Sequence, residues 1–420
     1  MSGLIDVDTI WDADTVFVTG TVEVDHGITL TIPAGTLVEF QDYYSLHILG
    51  RLLAVGTTDN WIHFTSSEPE LFQPDSTTTG SWNGIRFPGT LSTNANSHLE
   101  FCLIEHSKEL TEEGIGGALS VSNFSRLQVT NCILRHNLAQ WGGAIGCTFN
   151  AAPRINNCVI NENYALFGGA ALYSSYSYPR LTGNTIVHNE VLNQEIFDAT
   201  ATVHSYMGKP QVTANILYFN IYHYFEPVEL WGMKEYYTGW NDLTHGFGGE
   251  GNFDLDPLFD GSGEHPYSLR LASPCVDAFT SDTAGYSFPL RDILGNSRLW
   301  DGDEDGQARI DIGAYEFGAP PCEEYCLPPV ELPIGMELTQ NYPNPFNPTT
   351  TIQFALPRSG LIRLTVYNML GQQVALLAMG QYLAGLHLVS FDGSGLPSGV
   401  YLYRLEAMGD ILTGKMALVR

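Results

Sequence analysis

Residues 127–145 read LQVTNCILRHNLAQWGGAI, and residues 153–171 read PRINNCVINENYALFGGAA. Asn-Cys returns after 26 residues, and an apolar pair, an Asn, an aromatic residue and Gly-Gly follow it both times. The Cys, the Asn and the Gly pair could be parts of an active site. They could equally be the shape requirements of a fold that repeats. Periodicity decides between the two. Five lines fall into register: LEFCLIEHS (99–107), VTNCILRHN (129–137), INNCVINEN (155–163), LTGNTIVHN (181–189) and VTANILYFN (212–220). Their last residues, Ser107, Asn137, Asn163, Asn189 and Asn220, are 30, 26, 26 and 31 residues apart. The longer steps carry the insertions KELTEEGI and EVLNQEIFD, where loops would bulge out.

Read down the columns, like stands on like. One column is Cys102, Cys132, Cys158, Asn184 and Asn215. Another is Ile104, Leu134, Ile160, Ile186 and Leu217, and a third is Leu99, Val129, Ile155, Leu181 and Val212. Gly116-Gly117, Gly142-Gly143 and Gly168-Gly169 follow at one phase. A coil of this length, built of short β-rich runs, predicts an all-β right-handed parallel β-helix, a solenoid with three short parallel strands per coil. Cys then packs as a small hydrophobe. Asn serves as a stacked turn rung, and Gly-Gly permits a sharp corner. Upstream, VFVTGTVEVDHGITLTIPAGTLVEF (16–40), LHILGRLLAVGTTDNWIHFTS (46–66) and GSWNGIRF (80–87) alternate apolar and polar at period two. About eight to eleven coils are expected between residues 10 and 315.

The 420 residues carry a net charge of −28. From residue 335 onward there are five basic and four acidic side chains, so the acid lies almost wholly in residues 1–334. Such a surface repels phosphate backbones and excludes nucleic acid as a partner. It repels polyanionic sugars as well, unless cations bridge them, and it tends to collect Ca²⁺. No run of 18 apolar residues marks a membrane span. The N-terminal MSGLIDVDTIW has no charged n-region and no apolar h-region, so it does not read as a signal peptide. Seven cysteines leave at least one thiol unpaired within the chain. A monomer is expected.

Two segments resemble known families. GEGNFDLDPLFDGSGEHPYSLRLASPCVDAF (249–279) and DGDEDGQARIDIGAYEFG (301–318) resemble the closing coils of bacterial β-helix proteins of the pectate-lyase-like superfamily. That resemblance implies an architecture and not an activity, because the group holds lyases, hydrolases and non-catalytic surface proteins. LTQNYPNPFNPTTTIQFALPRSGLIRLTVYNMLGQQVALL (338–377) and GLPSGVYLYRLEAMG (395–409) resemble the C-terminal sorting domain of type IX secretion cargo. The residues themselves alternate over about seven short strands, which predicts a small Ig-like β-sandwich. The resemblance implies a tail read by the type IX export machinery, and a protein secreted or held at the outer-membrane surface. The expected organisation is a β-helix over 1–318, a Pro-rich linker over 319–334 and the sorting domain over 335–420. Cys322 and Cys326 stand in or beside that linker, where a local disulfide and two free thiols are both open.

Three groups of residues are candidates for chemistry. His106, His136, Glu162 and His188 precede the terminal column and would form a row about 5 Å apart. Such a row could bind a metal or act as acid and base on a sugar, or it could be a polar ladder at a turn. Trp141 and Phe167 precede Gly-Gly at one phase. YFNIYHYFEPVELWGMKEYYTGW (218–240) adds Tyr222, Tyr224, Trp231, Tyr236, Tyr237 and Trp240, and Tyr176 or Tyr178 would lie near them. These rings could stack on the sugars of an extracellular polysaccharide or pack under inserted loops. In DGDEDGQARID (301–311), Asp301, Asp303 and Asp305 are spaced as at the start of a calcium loop. The Glu that would close such a loop is replaced by Ile312, with Asp311 just before it, so the match is partial. A solvated acidic turn is the alternative. G-x-S-x-G, Walker and HExxH signatures are missing. The reading is therefore an exported surface protein, with a non-catalytic glycan-binding or structural module weighed against a polysaccharide lyase or glycoside hydrolase.

Overall fold

Period-two alternation makes each short run a strand with one face inside. In Thr29–Ile32 and Leu37–Phe40 every second side chain is buried. Strands of three or four residues are too short to bury a face against one neighbour. They are stable here because each is repeated. Three parallel sheets of nine strands result. The first runs from Gly3–Ile5 to Val228–Trp231, the second from Thr9–Ile10 to Thr238–Gly239, and the third from Thr15–Val18 to Asp242–Leu243. Each strand pairs with those one coil before and after it, so the chain winds as a parallel β-helix of nine coils. From the fourth coil a further strand joins, and Lys108–Glu109, Leu138–Trp141, Tyr164–Gly168, Glu190–Val191 and Ile221–Tyr222 form a fourth parallel sheet between the third and the first.

This computed structural model describes residues 1–89, 95–112, 114–192, 201–222, 228–234, 238–280, 288–322, 336–341, 343–356, 360–382, 385–407 and 410–419. Stacked Leu, Ile, Val and Phe fill the bore, among them Leu99, Val129, Ile155, Leu181 and Val212, all fully buried. Cys102, Cys132 and Cys158 lie in that same core as free thiols. Below them the column changes chemistry. Asn184, Asn215, Asn241 and Asn252 pass hydrogen bonds from coil to coil, with Asn184 Nδ2 donating to Asn215 Oδ1 at 2.8 Å and Asn241 Nδ2 to Asn252 Oδ1 at 2.9 Å. The second ladder runs Ser107, Asn137, Asn163, Asn189, Asn220. Each buried amide is satisfied by its neighbours, which makes burial affordable.

Gly142 has φ +73°, and a Cβ on Gly143 would run into the Tyr164 carbonyl oxygen. The corner therefore requires glycine. The phase of the Gly pairs differs from the sequence alignment by one residue at the next coil. Trp141 pairs with Gly168, with a register shift after Ala139, so Gly142 corresponds to Gly169 (φ +68°). The extra residue is absorbed as a bulge.

Regular coils stop at Leu243, well before residue 315. Residues 250–253 add part of a coil through bridges Gly239–Glu250 and Asp242–Phe253. Beyond them the chain leaves the helix axis and runs outside the third sheet. Ile293, Ala314 and Tyr315 pack on Val159, with Ile133 and Trp61 beside them. The Ala314 N–H donates to Thr185 Oγ1 at 3.0 Å, and Asn157 Nδ2 to the Arg291 carbonyl at 2.8 Å. The reason lies in the outward positions of that sheet: Val159, Val187 and Ile216 are apolar and need cover. The phrases read as closing coils are mostly this strap.

A second compact unit follows. Glu337–Leu338, Thr349–Leu356 and Gly385–Asp392 form one antiparallel sheet. Gly360–Asn368, Gln373–Tyr382, Gly399–Ala407 and Asp410–Leu418 form the other. Phe354, Leu364, Val366, Tyr403 and Leu405 fill the core between them. Cys322 is disulfide-bonded. Residues 323–334 of the expected linker, Cys326 among them, and residue 335 lie outside the described residues. Among the described residues, no helix is long and apolar enough to cross a membrane.

Candidate functional site

Parallel pairing in register stacks the outward side chains of the first sheet. One such column is Ser120, Gly146, Tyr173, His204 and Trp231. Strands about 4.8 Å apart put successive rings at stacking distance. Tyr173 and His204 have centroids 5.4 Å apart, and His204 lies 4.4 Å from Trp231 at 23°. Gly146 contributes no ring, and the space over it is taken by Ile115 and Gly116. Trp141, at the end of its fourth-sheet strand, lies against the column, 5.0 Å from Tyr173, 5.4 Å from His204 and 5.5 Å from Phe167. His204 is buried, whereas Trp141, Phe167, Tyr173 and Trp231 remain part-exposed.

The aromatic surface continues along the same face. Tyr206 lies two residues beyond His204, and its ring meets Tyr176 edge-on at 5.8 Å. Tyr176 and Phe149 occupy the corner between the first and second sheets, both at φ +49°. Bulky side chains in left-handed backbone are uncommon and carry strain. Both are also exposed, Phe149 by 66% and Tyr176 by 47%, with Tyr178 at 43% beside them.

The structure thus brings Trp141, Phe167 and Trp231 together and scatters the other aromatic candidates. Trp240 packs edge-on to Phe279 at 5.8 Å, in a separate cluster with Ala214 and Ile310 under the strap. Tyr222 contributes backbone pairing to Val191. Tyr224, Tyr236 and Tyr237 lie outside the described residues. Tyr173, His204 and Tyr206 were not singled out from sequence. The coil step does align them: ALYSSYSY and ATVHSYMG fall on the same rows as ELWG.

His106, His136, Glu162 and His188 all sit at left-handed corners, with φ between +52° and +60°. Corner geometry turns these side chains outward. His106 and His136 stack at 5.6 Å and 10°, and His136 Nε2 meets Glu162 at 3.1 Å. His188 instead stacks on Phe219 at 5.6 Å. The neighbouring Glu105 takes a hydrogen bond from His63 at 2.7 Å and from Arg135 Nε at 2.6 Å. Burial pushes Glu105 up, but His63 and Arg135 outweigh it and hold the carboxyl at about 2. Burial lowers His106 to about 4, against the pull of Glu105. Burial lowers His136 too. His106 and His136 are thus neutral imidazoles beside Glu105, an ionised carboxylate whose two oxygens are engaged. Glu105 has no proton to give at neutral pH.

Asp301 and Asp303 come together with Asp277, which the sequence did not suggest; oxygens from all three lie within 4.8 Å of one another. Among the described residues, Asp301 Oδ1 is buried without a hydrogen-bond partner. Asp305 turns away to Arg309, 2.9 Å from its guanidinium. Asp311 points inward, accepting from the Asp277 N–H at 2.7 Å and the Phe317 N–H at 2.6 Å. Burial raises it to about 7.

Residues 340–419 match the family model described as the secretion system C-terminal sorting domain. No curated protein and no solved structure matches the chain. The match falls on the separate antiparallel unit and not on the β-helix. The chain is thus a parallel β-helix whose C-terminal unit belongs to the type IX secretion C-terminal sorting domain family, a tail that directs export through the type IX machinery.

Proposed function

We propose that the β-helix is a non-catalytic glycan-binding module that acts outside the cell. The observation that carries this reading is the set of rings Tyr173, His204 and Trp231 on successive coils, with Trp141 against the first two, neighbouring centroids lying 4.4–5.4 Å apart. Sugars present flat C–H faces to such rings, and a regular aromatic row suits a regular polymer. His204, buried within the row, fixes the tilt of the part-exposed rings on either side. The row also lies on rigid sheet, so little ordering is needed on binding. The row at His106, His136, Glu162 and His188 favours a polar ladder, because Glu162 meets His136 and the neighbouring Glu105 is already committed to His63 and Arg135.

A glycan array with the full chain, repeated with Trp141→Ala and Tyr173→Ala, tests the reading. Loss of the bound glycans in both variants, with folding intact, supports it. An ultraviolet lyase assay and a reducing-end assay on each bound polysaccharide test the enzymatic alternative, a polysaccharide lyase or glycoside hydrolase. Cleavage of any of them would sink the non-catalytic assignment. Ca²⁺ is the cation proposed for Asp277, Asp301 and Asp303, since hard carboxylate oxygens suit it. Calorimetric titration with Ca²⁺ that is unchanged in Asp301→Asn would remove that proposal.

A further inference from the structure

Three large side chains stand in one exposed column at the corner between the first and second sheets. Phe149, Tyr176 and Met207 follow the register-paired residues Thr148, Ser175 and Tyr206 on coils six, seven and eight. Their backbone is left-handed, with φ +49°, +49° and +53°. Met207 is 67% exposed, as open to solvent as Phe149. Asn123 begins the column on coil five, at φ +52°. Asn is at ease on such backbone, whereas Phe, Tyr and Met are not. Other bulky residues held this way find cover within the chain: Phe101 is buried, and Trp240 packs on Phe279. An apolar ridge that is both strained and exposed points to a partner.

Spacing and charge both select a second copy of this chain. The three side chains are set one coil apart, about 4.8 Å, on rigid sheet. An identical ridge turned end to end has the same step by construction. With a two-fold axis through Tyr176, that residue meets its own counterpart, and Phe149 of each copy meets Met207 of the other. Ring on ring and thioether on ring are both favourable contacts. At a net charge of −28, two copies repel across most of their surface. The segments around the ridge, 119–130, 145–156, 172–184 and 201–217, contain no Asp or Glu, and the ridge column itself is uncharged. The nearest Lys or Arg along these segments is Lys209, two residues past Met207. We infer that this ridge is a homodimer contact, in which coils six to eight of two copies pack antiparallel about a two-fold axis. Three side chains from each copy make a small contact, so the dimer is weak, with Kd on the order of 100 µM. This contact is independent of the glycan reading, which concerns the outward rings of the first sheet.

Sedimentation equilibrium on the full chain at about 5–500 µM should show monomer and dimer in exchange. Raising NaCl from about 0.05 to 0.5 M should tighten the dimer about 3-fold or more, because net charge and local cations alike set like against like. Tyr176→Asn with Met207→Asn should weaken it about 10-fold or more. The melting temperature of that variant should stay level or rise, since Asn123 already serves the same column. Oxidised Tyr176→Cys should give a disulfide-linked dimer by itself. Phe149→Cys and Met207→Cys should each give little alone and cross-link when mixed, because the antiparallel register pairs them. The parent chain, whose Cys102, Cys132, Cys147, Cys158 and Cys275 are buried, is the control. A monomer across the whole range overturns the inference, and so does a dimer that ignores the double Asn variant. Cross-linking of Phe149→Cys alone as readily as of the mixture overturns the antiparallel register and the inference with it. Lost glycan binding in the double Asn variant, with association unchanged, gives the ridge to the glycan instead.

Discussion

Replacing Asn163 with Ala removes one rung from the middle of the second amide ladder. The side chain is fully buried. Its Oδ1 accepts from the Asn137 backbone N–H at 3.2 Å and from Asn137 Nδ2 at 2.9 Å. Its Nδ2 donates to the carbonyls of Leu134 and Asn161 at 2.9 and 3.0 Å and to Asn189 Oδ1 at 2.9 Å. Two hydrogens and two accepted bonds make four interactions, each worth about 1 kcal/mol net. The expected loss is about 4 kcal/mol, or a fall in melting temperature of about 12 °C for a unit of this size. Tryptophan fluorescence isolates the relevant transition, because all seven tryptophans lie at or before residue 300 and none lies in the tail. Asn163→Asp sharpens the test. The acid keeps Oδ1 but sets a second acceptor against Leu134, Asn161 and Asn189. Its folded pKa is therefore raised, and stability is lost as pH rises through it. At pH 7 Asn163→Asp should be less stable than Asn163→Ala, and the order should reverse near pH 4. A loss below about 1 kcal/mol in Asn163→Ala, or an Asn163→Asp protein as stable as the parent at pH 7, would refute the ladder as a source of stability.

Trp141→Ala or Tyr173→Ala should each weaken glycan binding about 10-fold while the tryptophan melting curve keeps its midpoint within a few degrees; unchanged binding would place the ligand elsewhere. Gly143→Ala puts a methyl into the Tyr164 carbonyl and should cost about 3 kcal/mol or more, so an alanine variant melting with the parent would contradict the corner geometry. Burial raises Asp242 and Asp311 to about 7, so the unfolded chain releases these protons first and β-helix stability should fall between about pH 4 and 7. Glu105, held at about 2, acts oppositely, contributing stability above its ordinary 4.5 that is lost as pH falls toward 2. Melting temperatures across pH 2–8 that rise steadily would contradict the raised pair. Removing residues 336–420 should abolish appearance of the protein at the cell surface and in the medium, which cell fractionation reads directly.

The repeating fold was legible because a solenoid turns vertical contacts into columns of sequence. Cys102, Cys132 and Cys158, the two Asn ladders and the Gly corner could be read from spacing alone, since each must pack on its own kind one coil away. The tail was legible for a different reason: its phrases are those of a sorting domain. What spacing could not give was anything set by side chains meeting across sheets. The bulge after Ala139 moved Gly142 onto Gly169. Apolar outward positions at Val159 and Ile216 drew residues 288–318 into a strap and ended the regular coils early. Asp277 joined Asp301 and Asp303 only because the strap folds back. The sequence by itself determined the period, the core and the route out of the cell, because these depend on residues one coil apart or on a contiguous tail. The tertiary structure decided the aromatic row and the meeting of Asp277 with Asp301 and Asp303, because rings and charges act over a few ångströms in space and only winding brings residues 173, 204 and 231 within that range.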